Sequence, residues 1–160
     1  MDHLPINHHL RNFWRVLAFL AGAYILVFGI VGFIQSKGLE TFAQPRDTKL
    51  PVVLGLHANP GFSILSIVVG AIVVLACVIG RNVDRWVNLI AGAVFILAGM
   101  IGLVLMRTDL NFFGDTMATV IVSFVLGLIM FTAGLYGRVG SVEQEAAEAH
   151  RREGGQPVDA

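Results

Sequence analysis

Four stretches of this chain run for about twenty residues without Asp, Glu, Lys, Arg or His: Val16–Ile34, Gly61–Gly80, Trp86–Met106 and Thr116–Gly137. At about 1.5 Å of rise per residue, each run matches a hydrocarbon core about 30 Å thick. Inside lipid the backbone has no water to bond, so each run must close its own hydrogen bonds as a helix, whatever its valine and isoleucine content. The expected fold is therefore all-α, an integral membrane four-helix bundle with spans at about 13–34, 61–80, 86–106 and 116–137. Only 14% of the 160 residues are charged, against about a quarter in soluble domains. The first run is too long for a cleaved signal peptide, and no A-x-A-like site follows it.

Basic residues give the expected orientation. With four spans, Arg11, Arg15, Arg81, Arg85, Arg138, Arg151 and Arg152 share one side, against Lys37, Arg46, Lys49 and Arg107 on the other. That bias places both termini in the cytoplasm of a bacterial cell (inner) membrane, with Trp14 and Trp86 as interfacial anchors. Residues 1–140 then form the membrane domain, and the long loop 35–60 faces outward. The middle of that loop, "LPVVLGLHANP", is apolar enough to lie in the interface or cap the bundle. Residues 141–160 read as a short cytoplasmic helix, with Ser141 and Gln144 as a capping box, and then a disordered tail.

The chain writes one segment twice. "RNFWRVLAFLAGAYILVFGIVGF" begins at Arg11, and "RNVDRWVNLIAGAVFILAGMIGL" begins seventy residues later at Arg81. The second and fourth spans match at an offset of 57, through Ser66/Ser123, Gly70/Gly127, Ala76/Ala133 and Gly80/Gly137. The pattern predicts two tandem helical hairpins, a duplicated unit whose pseudo-symmetry axis runs along the bilayer normal. Small residues recur at one spacing in every span: Gly22-Gly29-Gly32, Gly70-Cys77-Gly80, Gly92-Gly99-Gly102 and Gly127-Gly134-Gly137. At about 100° per residue they share one face, which predicts close helix–helix packing, within the bundle or between subunits.

Chemistry is sparse. Without an ionisable residue at depth, the spans lack what proton-coupled transporters and pumps use. Their polar groups are Tyr24, Ser63, Ser66, Cys77, Asn88, Thr119, Ser123 and Thr132. Hydroxyls in such helices mostly bond the preceding turn, and Asn88, two residues into its span, is within reach of headgroups. Ser66 and Ser123, as repeat equivalents, are candidates to face one another. Cys77 reads as an inert buried thiol, and His3, His8 and His9 as a solvated run. Two groups remain as candidates. His57, Asp109 and Asp115 share the outer side and offer a small polar site; Arg11/Arg15 and Arg81/Arg85, each at i,i+4, are placed to hold anionic lipid headgroups. No cofactor motif is present, and a net charge of zero argues against nucleic acid as a partner.

"TFA" at Thr41–Ala43, "VLGLHANP" at Val53–Pro60 and the closing "AGLYGRVG" resemble a family of small four-span actinobacterial membrane proteins catalogued as a domain of unknown function. The resemblance covers about residues 12–140 and implies a four-helix bundle in a bacterial inner membrane. Where relatives often carry Asn and His near the start of span two, this chain has Phe62, Ser63 and Ser66; in span four it has Thr119, Val120 and Ser123. The resemblance supplies no activity. The expected role is that of a non-enzymatic membrane protein, structural or an accessory subunit, in contact with lipid and with copies of itself or other membrane proteins. The alternative is a passive channel or small transporter for a neutral solute, lined by Ser66, Thr119, Ser123 and Thr132.

Overall fold

The structure is a computed structural model that describes residues 10–45 and 47–140. The expected tail helix, the histidines His3, His8 and His9, and Arg46 lie outside the described residues. Four helices carry the chain: α1 (Arg11–Gln35), α2 (Pro60–Ile79), α3 (Val83–Leu105) and α4 (Met117–Tyr136). All four are long and apolar enough to cross a membrane. Between α1 and α2 two short strands, β1 (Val52–Val53) and β2 (Leu56–His57), pair antiparallel.

Each helix start has a local cause. Asn59 caps α2, its side chain accepting from the Phe62 N–H, and Pro60 supplies the preset first turn. Thr116 and Thr119 cap α4 reciprocally. Gly80, Arg81 and Asn82 all adopt positive φ, and these three residues turn α2 into α3.

The closest packing lies within the hairpins, α1 on α2 and α3 on α4; the hairpins then meet along two seams, α1–α4 and α2–α3. Ala18, Ala21, Ile25, Val73, Cys77, Met130 and Ala133 fill the middle of the bundle, with Val73 and Met130 wholly buried. Large apolar side chains such as Ile90, Val94, Leu97, Ile101 and Val104 cover the outside of α3. A soluble monomer does not expose such a continuous face, whereas lipid makes it unremarkable chemically.

The glycines sit at the helix crossings. A Cβ on Gly70 would lie 2.5 Å from the backbone nitrogen of Leu26, and one on Gly29 would lie 2.6 Å from that of Ile67. In the second hairpin, Gly92 faces the Phe131 backbone, Gly127 faces Ile96, and Gly134 faces Leu89. Partners recur at the two sequence offsets. Gly22 meets Val74 as Gly92 meets Phe131; Gly29 meets Ile67 as Gly99 meets Phe124; Gly70 meets Leu26 as Gly127 meets Ile96. Gly32 meets Ala58 and Ser63, and Gly102 meets Asp115 and Val120. At the other end Gly80 lies against the Arg15 guanidinium and Gly137 against Arg85.

The long loop does more than cover the bundle. Leu54 and Gly55, both at positive φ, form the two-residue turn of the β1–β2 hairpin, the conformation whose twist suits paired strands. Val53, Leu56 and Ala58 are buried with Phe28 against Tyr24, Val31 and Val122, so the hairpin is wedged into the α1–α4 seam. The Tyr24 hydroxyl donates to the Leu54 carbonyl at 3.0 Å.

Two substitutions separate tight from loose crossings. Gly92→Ala drives a methyl into the α4 backbone and is expected to destabilise by about 1–3 kcal/mol. Gly99→Ala meets only the Phe124 ring at 3.4 Å and should be neutral or slightly stabilising, as Ala favours helix. Thermal melts in one detergent compare them; equal losses would refute the assignment of Gly92 as a backbone crossing.

Candidate functional site

Polar side chains gather in two places, one at each end of the bundle. At the end of the α2–α3 turn, Arg15 of α1 reaches across to the last turn of α2. Its Nε donates to the Cys77 carbonyl at 2.7 Å, and its Nη2 to the carbonyls of Cys77 and Val78. Those carbonyls have no partner inside their own helix, and the negative end of the helix dipole favours the guanidinium. Asp84, in the first turn of α3, completes the cluster with its Oδ2 at 3.7 Å from the Arg15 Nε. Asp84 is 3% exposed and so depends on that cation. Beside it Asn88, 2% exposed, points its Nδ2 at the Cys77 sulfur at 3.6 Å, while its Oδ1 has no hydrogen-bond partner.

These positions correct one expectation. Asn88 is buried against Cys77 and does not reach headgroups, because α3 begins three residues before the uncharged run and turns this face inward. Arg15 is committed to the α2 carbonyls and Asp84. Its counterpart Arg85 instead lies over the Trp86 ring at 5.1 Å. Closure of the second hairpin falls to Asn82, which donates to the Val139 carbonyl at 3.1 Å and accepts from its N–H at 2.8 Å. Arg11 is half-buried and Arg81 exposed at the same end.

At the opposite end Asn59 is wholly buried and ties three segments: it donates to the carbonyls of Ala43 and Phe112 and accepts from Phe62. Asn111 shapes the last loop by bonding the Asp115 N–H and the carbonyls of Asp115 and Met106. His57 borders a cleft with Asp47, Lys49 and Leu50, whereas Asp115 borders two others, and Asp109 borders none of these three. The Asp109 carbonyl accepts from Gln44.

Asp115 stands apart chemically. One side of it lines a cavity of about 250 Å³ in the α2–α3 seam, bounded by apolar groups with the hydroxyls of Ser66 and Ser123. It also lines a cleft with Gln44, Thr108 and Asn111. Burial pushes its carboxyl above the ordinary value of 3.8. Ser66 and Ser123 therefore do share a cavity, on the flank of the bundle and not at its centre; Ser66 bonds back to the Phe62 carbonyl.

The polar clusters generate two expected outcomes. Arg15→Gln strands a buried carboxylate and should cost about 3 kcal/mol. Combining it with Asp84→Asn should cost less than the sum of the single changes, by about 1 kcal/mol or more in thermal melts; strict additivity would refute the pairing. For Asp115 the folded state holds its proton more tightly than the unfolded chain. Stability therefore falls as pH rises from the ordinary carboxylate range through the raised value. Asp115→Asn should accordingly melt higher than the parent at pH near 8, with the gap closing towards about pH 4.

Comparison with known proteins places this architecture. The chain matches the family model described as Domain of unknown function (DUF4383) over residues 15–136. No curated protein matches it, and no solved structure does. The match opens at the clamping arginine and ends on the last residue of α4, so all four helices lie within it or overlap it. The chain belongs to this family of unknown function, DUF4383.

Proposed function

We propose that this chain is a non-enzymatic, non-conducting integral membrane protein, a structural or accessory subunit of the bacterial cell membrane with both termini in the cytoplasm. It descends, in this reading, from duplication of one helical hairpin. The observation that carries the proposal is the filled centre of the bundle, where Val73 and Met130 are wholly buried among apolar neighbours. A solute path needs a continuous file of polar groups or water, and the candidate lining is spent elsewhere. Thr119 serves the α4 cap, and Ser66 and Ser123 line a cavity on the flank. The excess of arginine at the terminal end supports the orientation. The contacts that recur at offsets of 70 and 57 support duplication.

Partners on this reading are lipid and either further copies of the chain or a different membrane protein. Purification from native membranes in mild detergent, followed by mass measurement, should give a homo-oligomer or a complex with a second membrane protein. A strictly monomeric particle without a partner would overturn the accessory role. Proteoliposomes should release glycerol no faster than protein-free vesicles, and accelerated release would overturn the non-conducting reading.

A further inference from the structure

The two seams between the hairpins are built from corresponding residues but are filled differently. In the α1–α4 seam, Tyr24, Phe28, Val31 and Val122 pack around the wedged β1–β2 hairpin. Adding 70 to the first three and subtracting 57 from the last gives Val94, Ala98, Ile101 and Leu65. All four line the 250 Å³ cavity of the α2–α3 seam, and all four are exposed, so the cavity opens on the outer face of the bundle. One slot thus holds an apolar piece of the chain itself, and its counterpart is open. The α3–α4 loop, 13 residues shorter than the loop that supplies the hairpin, borders the slot through Leu110, Phe112 and Phe113 without filling it.

Two differences mark the open slot as more than a leftover. Phe28, which packs on the wedge, is replaced by Ala98, which leaves room. Ala58, wholly buried beside the wedge, is replaced by Asp115. The Asp115 carboxylate accepts no hydrogen bond and makes no ion pair among the described residues, and the Ser123 hydroxyl is likewise unbonded. We propose that the α2–α3 cavity is a binding site for a lipophilic amine, its apolar body lying between Leu65, Val94, Ala98 and Ile101 and its ammonium group on Asp115. The slot, about 250 Å³ and open along its outer side, has room for an apolar chain. The carboxylate selects the head group, because a half-buried anion without a partner gains most from a cation. The cleft beyond Asp115, with Gln44, Thr108 and Asn111, provides the polar approach for that head.

The test uses the full chain in lipid nanodiscs and two photoactivatable probes, a diazirine-bearing alkylamine and the alcohol of the same length. Mass spectrometry maps the labelled residues. Amine labelling should concentrate on Leu65, Val94, Ala98 and Ile101. It should fall at least tenfold in Ala98→Phe, which restores the bulk found in the filled seam. Asp115→Asn should reduce amine labelling tenfold while leaving alcohol labelling within twofold, and this arm stands even if Ala98→Phe misfolds. Labelling spread evenly over the lipid-facing residues of all four helices would overturn the site. Equal labelling by amine and alcohol, indifferent to Asp115→Asn, would overturn the choice of ligand class.

Discussion

Helices in lipid gain nothing by hiding apolar side chains from one another, because the hydrocarbon is as apolar as they are. This bundle therefore depends on how closely two backbones can approach. Gly29 and Gly70 let α1 and α2 touch main chain to main chain, and Gly92, Gly127 and Gly134 do the same for α3 and α4. Dispersion between helices at that range is what holds each hairpin. The glycines are spent inside the bundle, so self-association, if it occurs, rests on other surfaces.

Polar residues act at the ends, where helices leave carbonyls and N–H groups unmatched. Arg15 and Asn82 close the end with the α2–α3 turn, and Asn59 and Asn111 close the other. Arg15, Asn82 and Asn59 each bond the backbone of another segment, and Asn111 bonds that of its own loop. The R-N-x-x-R repeat thus divides its labour: its last arginine clamps the first hairpin, and its asparagine clamps the second.

The spans were legible because an uncharged run of membrane length permits one backbone solution, and their bounds fall within three residues of the helices observed. The glycines of the recurring spacing lie at helix crossings, where a side chain would meet the neighbouring helix. Asp84 was not legible. It reads as one more loop charge in "RNVDR", and only the early start of α3 carries it under Arg15. The β1–β2 hairpin escaped notice because strands of two residues leave no alternation to detect. Asn88 was misjudged for a related reason: distance from a span end says nothing about which way a helix faces. For His57, Asp109 and Asp115 the sequence carries a shared end of the bundle and no more, because loop residues have no periodicity to fix their spacing.

The unequal weight of the contacts also sets an order in time. α1 packs on α2, and α3 on α4, far more extensively than the hairpins pack on one another, although the three-residue turn makes α2 and α3 the nearest neighbours in sequence. Synthesis delivers α1 and α2 before α3, so the first hairpin is free to pack as a unit as it is made. Arg15 can seize the end of α2 before α3 exists, and it receives Asp84 only when the second hairpin arrives. In a half-synthesised chain the first hairpin is complete in itself, and its one cation still lacks the anion that docks its twin.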